Sequence, residues 1–343
     1  MTADHTLLTV ILNYRTPEMT LRAAKAALVA MQGIEGRIVI VDNDSGDGSF
    51  ETIQAGIEAN GWPSERVDLV ASGYNGGFGA GNNFGVLHGM ATMPAPPDFL
   101  YFLNSDAFVE PKAIQVLIDH LVTTPDAGVA GSFIYGSDGV PHHSAFRFPS
   151  IAGEFEGAAR LGFISRVLSN YVVPLPIPNV TTRVDWLAGA SMMLRRSVVE
   201  QVGLFDENFF LYFEETDLCR RVVNAGWKID YAPGSRVEHI GSVSTGMKSW
   251  KRIPGFWLEA RHYYFRKNHG VLYGAAATLA HVAGGVIWRV RRWIGGKPKR
   301  DPDLFLTDLL AHSLRGMFRR VPGRNIPALT EATAASPIAG DLP

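Results

Sequence analysis

Through residue 121 the hydrophobic positions fall into short continuous runs separated by helical patterns. The runs LLTVIL (7–12), RIVIVD (37–42), RVDLVAS (66–72) and DFLYFLNSD (98–106) are rich in Val, Ile and Leu, without the alternation of a half-exposed strand. After each run the spacing predicts a helix, near 17–31, 49–60, 79–90 and 111–121. Continuous apolar strands separated by helices imply a parallel sheet covered on both faces, an α/β fold. Ligands of such sheets collect outside the carboxyl ends of the strands, where helix N-termini point. The four runs end in Asn13-Tyr14, Asp42-Asn43-Asp44, Gly73-Tyr74-Asn75 and Asn104-Ser105-Asp106, which are therefore expected to meet in one cleft.

Residues 140–183, rich in Pro, Gly and aromatic side chains with weak periodicity, predict long loops over that cleft. From Val184 the pattern returns, and DWLAGASMMLRR predicts a strand pair or a strand running into a helix. FDENFFLYFEETDLCRRVVNAGW ends in an expected helix with Leu211, Leu218, Val222 and Ala225 on one face and Gly226 as its stop. Residues 271–288 hold no Asp, Glu, Lys or Arg and precede Arg289, Arg291, Arg292, Lys297, Lys299 and Arg300. The run reaches the lower length limit of a membrane span, but its Ala and Gly make it mildly apolar. An interfacial helix beside anionic headgroups is the preferred expectation, with a core helix the plain alternative. TEATAASPIAGDLP reads as a disordered tail.

At 343 residues and 46% hydrophobic the chain can build a large core, and its net charge of −1 argues against nucleic acid as a partner. The single cysteine, Cys219, excludes an internal disulfide framework and a multi-cysteine zinc site, which suits a reducing compartment. Asp4 and His5 stand where a signal peptide carries basic residues, so the expected location is cytoplasmic.

The strand ends carry the candidate chemistry. Asp42, closing a β-branched strand, suits hydrogen bonds from a pyrimidine ring N–H or ribose hydroxyls, although an Asx-turn or helix cap accounts for it equally well. Tyr14 is placed to stack on a base or simply to pack. GYNGGFGAGNNFG (73–85) fails the dinucleotide register because Asn82 stands where a third glycine would be needed. It still suits close backbone approach to a diphosphate or sugar. An Asp at a buried strand end needs a partner, and Asp106 gains a chemical purpose by holding a divalent cation on a diphosphate; a structural bond is the plainer account. In FEETDLCRR one carboxylate of Glu214, Glu215 and Asp217 could serve as a general base if burial raises its pKa, or all could pair with Arg220 and Arg221. His239 is either structural or a metal ligand.

In this order, ILNYRTPE, IVDNDSGDGS, YNGGFGAGNNFG, FLNSD and LAGASMMLRRSVVEQVGLFDENFFLYFEETDLCRRVVNAGWKIDYAPGSRVEHIGSVS resemble the GT-A glycosyltransferases of family 2, in particular their bacterial rhamnosyltransferase-like branch. The resemblance covers about residues 7–268. It implies a GT-A fold, a single Rossmann-like, mostly parallel sheet flanked by helices, here with a C-terminal helical, membrane-associating appendage. The implied domains are 1–270 (1–110 for the nucleotide sugar, 180–270 for acceptor and catalysis), a basic helical appendage at 271–330 and a tail at 331–343. It also implies an inverting, metal-dependent enzyme moving a sugar, plausibly L-rhamnose from a dTDP donor, to a glycan or lipid-linked acceptor at the inner membrane face.

By the same resemblance Asn13, Tyr14, Asp42, Asn75, Gly77 and Asn104 contact the donor, and Asp106 and His239 hold Mg2+ or Mn2+. Glu215 or Asp217 takes the acceptor's proton. Two departures stand out: Asn104 replaces the first carboxylate of the family's DxD element, and Glu215 replaces the usual catalytic Asp. Asn104 keeps open a non-catalytic sugar-nucleotide or glycan-binding protein. A nucleotidyltransferase would need a glycine-rich N-terminal loop that ILNYRTPE lacks.

Overall fold

β1 (Thr6–Asn13) is buried along most of its length because strands flank it on both sides and helices cover both faces. The protein is described by a computed structural model covering residues 5–241, 246, 250–299 and 301–329. After β1 come α1 (Pro17–Ala30), β2 (Glu35–Asp42), α2 (Ser49–Ala59), β3 (Val67–Ala71), α3 (Gly77–Thr92) and β4 (Phe99–Asn104). β5 (Ala107–Val109), α4 (Ala113–Thr123), β6 (Ala127–Tyr135), β7 (Pro141–His142), β8 (Ala145–Phe146), α5 (Ile151–Ala159) and α6 (Gly162–Val167) follow. The chain continues with β9 (Thr182–Val184), β10 (Trp186–Leu187), β11 (Ser191–Arg195), α7 (Arg196–Val202), α8 (Glu214–Asn224) and β12 (Lys228–His239). Helices α9 (Gly255–His269), α10 (Val271–Gly295) and α11 (Phe305–Met317) complete it.

The main sheet runs β3-β2-β1-β4-β11-β6-β12-β5, with β7 beside β6 and β9 beside β12. β1 to β4 are parallel, and β11 enters antiparallel between β4 and β6. One face packs on α1 and α4 around Ile11, Ile38, Tyr101 and Leu117; the other packs on α3, α7 and α8 around Val10, Phe102, Phe205 and Leu218. Both faces are apolar because both are covered, which is why the strands read as runs rather than alternations.

Three expectations need correction. Residues 140–183 are not only loops: they hold α5 and α6, hidden because α5 pairs with a partner more than a hundred residues away. Gly284 of α10 lies against the Phe155 carbonyl, where any side chain would collide, so the Ala and Gly of α10 serve close helix packing. The strand expected over 98–106 ends at Asn104, because Ser105 and Asp106 turn the chain into β5. The helix expected to include Leu211 starts at Glu214, since Tyr212 and Phe213 adopt left-handed backbone with φ of 72° and 70°. The proposed tail at 331–343 lies outside the described residues.

α10 is long and apolar enough to cross a membrane by length and composition, and about a third of its apolar window is buried against the protein. Beyond α11, Asn325 and Pro327 return to the sheet side, accepting from Glu207 N at 2.8 Å and Leu204 N at 3.1 Å through their carbonyls.

Candidate active site

The carboxyl ends of β1, β2 and β4, the N-terminus of α3 and the first turn of α8 enclose a cavity of about 570 Å3. Tyr14, Asn43, Asn75, Gly77, Asn104, Ser105, Asp106, Glu214, Glu215 and His239 line it, with His142, His143, Tyr212 and Phe256 at its other wall. Sequence reasoning placed Asn43 and Ser105 in the cleft and Glu214 among the candidate bases without giving them a final role, and it did not single out His142, His143, Tyr212 or Phe256. For Asn43 and Ser105 the signal was available, since both sit in the polar strand ends.

Register explains the grouping of Asp106 and His239. β12 runs antiparallel to β5 with His239 opposite Ala107, so the imidazole falls beside the preceding Asp106. His239 Nε2 lies 3.1 Å from Asp106 Oδ1, and the Gly241 amide donates to Asp106 Oδ2 at 3.0 Å. Burial pushes the Asp106 carboxyl up, but the hydrogen bond and charge of His239 outweigh it and hold the group below its ordinary value. Asn104 Nδ2 is 3.4 Å from His239 Nε2, and its Oδ1 is buried with no hydrogen-bond partner.

The glycine loop is built for contact. Gly77 has φ of +89°, and a Cβ there would overlap the Phe210 carbonyl, which also accepts from Phe78 N at 2.9 Å. Asn75 Oδ1 accepts from Gly77 N and from Asn43 Nδ2, each at 3.0 Å, fixing the loop. The left-handed Tyr212 and Phe213 then turn the chain so that Glu214 and Glu215 open α8 at the cavity. Burial raises both acids, to about 7 for Glu215, and Glu214 rises further under its neighbour's charge. Glu214 Oε2 and Glu215 Oε2 are buried without partners.

Three sequence candidates lie elsewhere. Asp42 does not line the cavity: its Oδ1 accepts from Asn13 Nδ2 at 2.7 Å and Ser45 Oγ at 2.6 Å, and its Oδ2 from Ser45 N at 3.1 Å. Asn13, fully buried, accepts at Oδ1 from Thr20 Oγ1 at 2.7 Å. These two shape the loop beneath the site. Asp217, one turn after Glu214, faces away and is held by Lys267 at 2.7 Å, Arg221 at 3.1 Å and Asn268 at 3.1 Å. Saturated and fully buried, it lacks the access to the cavity that a proton acceptor needs.

A divalent cation fits what remains. Among the described residues no group of three or more His, Cys, Asp or Glu can hold a metal alone. Asp106, His239 and the unpartnered Asn104 Oδ1 would supply a carboxylate, an imidazole and an amide oxygen to such a cation.

A mostly parallel sheet covered by helices on both faces, with the cavity at its strand ends, is the architecture of the GT-A fold. Residues 5–254 match the model of glycosyltransferase-like family 2, and the chain belongs to that family. It is 33% identical to an N-acetylglucosaminyl-diphospho-decaprenol L-rhamnosyltransferase of Mycobacterium tuberculosis over 236 residues, 66% of this chain and 71% of that protein. It is 28% identical to the Escherichia coli rhamnosyltransferase WbbL over 175 residues, 50% of this chain and 64% of that one. A mannosyltransferase from Pyrobaculum calidifontis, solved with GDP-Man and Mn2+, shares the fold at TM-score 0.53 and 12% identity, covering 93% of this chain and 82% of its own.

Proposed function

We propose that the enzyme transfers L-rhamnose from a dTDP-type donor, with inversion, to a sugar on a lipid-linked diphosphate at the cytoplasmic membrane surface. One observation carries this reading: three buried oxygens without partners, on Asn104, Glu214 and Glu215, surround a single cavity that also holds the Asp106–His239 pair. Buried polar atoms are otherwise almost always satisfied, so these await a polar ligand. The rhamnosyltransferase relatives support the sugar and the acceptor.

Tyr14, Asn43, Asn75 and Gly77 receive the nucleoside side of the donor, with the Gly77 backbone close to it. Asp106, His239 and Asn104 would hold a divalent cation, which would supply positive charge to the diphosphate. Glu215, lifted to about 7, takes the proton from the acceptor hydroxyl. The hydroxyl oxygen bonds to the anomeric carbon from the face opposite the diphosphate, whose oxygen leaves with the electron pair. α10, with Leu272 and Trp293 exposed, rests at the lipid surface beside the acceptor's anchor.

The test is release of dTDP from dTDP-rhamnose with a polyprenyl diphosphate-linked N-acetylglucosamine acceptor. Glu215→Gln and Asp106→Ala should each lose at least about 10²-fold. Wild-type rates in both would overturn the assignment.

A further inference from the structure

A second cavity, of about 360 Å3, opens between α9 and α11 and shares no lining residue with the first. Its walls are two facing helical stripes. α9 contributes Glu259, the neighbours His262 and Tyr263, and Arg266, one turn apart along one face, and α11 with its continuation contributes His312, Arg315, Gly316, Arg319 and Arg320. Four guanidinium groups therefore surround one cleft against a single lining acid, Glu259.

Arg266 is 9% exposed and forms the floor. It donates to the Gly316 carbonyl at 2.8 Å and the Arg319 carbonyl at 2.7 Å, which ties α11's end to α9, and its Nε has no partner. Arg315, Arg319 and Arg320 are exposed, and among the described residues none has an ion-pair partner within 4.0 Å. Asp308, on the same helix, is already held by Arg252 at 2.7 Å. Burial, with Arg266 beside it, pushes His262 down to about 4, and burial likewise lowers His312 although Glu259 opposes it. So many like charges around one hollow repel one another unless an anion lies between them.

We propose that the cleft between α9 and α11 is a binding site for a phosphate-bearing anion, separate from the catalytic cavity. Planar guanidinium forks match phosphate oxygens in bidentate pairs, and a phosphate bridging Arg315, Arg319 and Arg320 would relieve their repulsion. Leu314 and Phe318, the latter 91% exposed, flank these arginines and offer apolar contact to a chain attached to that phosphate. The ligand is either a lipid phosphate or a free phosphate compound, and the chemistry recognised is the same.

The experiment uses the full chain saturated with dTDP, so that the catalytic cavity is occupied. The imidazole resonances of His262 and His312 are followed by NMR during titration with inorganic pyrophosphate, dihexanoyl phosphatidylglycerol or dihexanoyl phosphatidylcholine. An anion in the cleft should shift both histidines toward higher pKa. The combined variant Arg315→Gln, Arg319→Gln and Arg320→Gln should bind about tenfold or more weakly. A charge-matched control away from both cavities and from α10, Lys25→Gln, Lys112→Gln and Lys228→Gln, all exposed, should bind as wild type does. A response to pyrophosphate identifies a free phosphate as sufficient, whereas a response to phosphatidylglycerol alone identifies a lipid phosphate; either supports the site. No response to any probe, equal affinity in the triple variant, or equal responses to phosphatidylcholine and phosphatidylglycerol in both variants would overturn it.

Discussion

Two sets of acids on one helix meet opposite fates. At the start of α8, Glu214 is buried and Glu215 half-buried beside a cavity, neither in an ion pair among the described residues, and desolvation drives their carboxyls toward the neutral form. One turn further on, Asp217 is buried more completely, yet it shares Lys267 with Asp206, each at 2.7 Å, and adds Arg221. Asp206 shows what that partner does: burial pushes its carboxyl up, but Lys267 more than offsets this and leaves it low. Burial alone does not mark a base. The marker is burial without a counter-charge, beside space for a substrate.

The most damaging way to probe the contrast is Glu215→Gln, which removes the acceptor of the proton while keeping the shape. Turnover should fall about 10²- to 10⁴-fold with donor binding retained, measured by dTDP release and by titration of the donor. Lys267→Met strikes the other set, leaving Asp206 and Asp217 buried without their shared cation. It should cost about 3–5 kcal/mol in urea unfolding. Gly77→Ala displaces the loop over Phe210 and should lower kcat/KM about 10- to 100-fold, with stability read in parallel.

Changing pH gives smaller effects of opposite sign at the two sets. Glu215 must be ionised to act, so kcat/KM should rise with pH up to about 7 and level off above it. For stability, the folded chain holds the Glu215 proton more tightly than the unfolded chain. That contribution is full below the ordinary value of 4.5 and is lost as pH rises through about 7. Glu215→Gln should therefore melt above wild type at pH 8 and near it at pH 4. Asp206, held low, contributes stability above its ordinary value of 3.8 that is lost as pH falls through its lowered value, so Asp206→Asn should be most destabilising near neutral pH. Scanning calorimetry at about pH 4 and pH 8 checks the Glu215 sign, and at about pH 2 and pH 7 the Asp206 sign.

Local pattern alone carried the strand runs, the helices after them and the polar residues at their ends, because side-chain periodicity follows from which faces a neighbour covers. It also placed Tyr14, Asn75, Asn104 and Asp106, and the family resemblance added Gly77, Glu215 and His239; all of these line the cavity. Local pattern did not show that Asp42 and Asn13 would satisfy each other, since their 2.7 Å bond exists only once β1 and β2 pair in register. Nor did it show α5, which needs the Gly284 face of a helix far along the chain. The choice between Glu215 and Asp217 depends on Lys267, fifty residues beyond Asp217, and the Asp106–His239 pair on the register of β12 against β5. Periodicity is a property of neighbouring residues, whereas burial and counter-charge are properties of the space around a side chain. That space is assembled from distant segments, and only the tertiary structure decides what fills it.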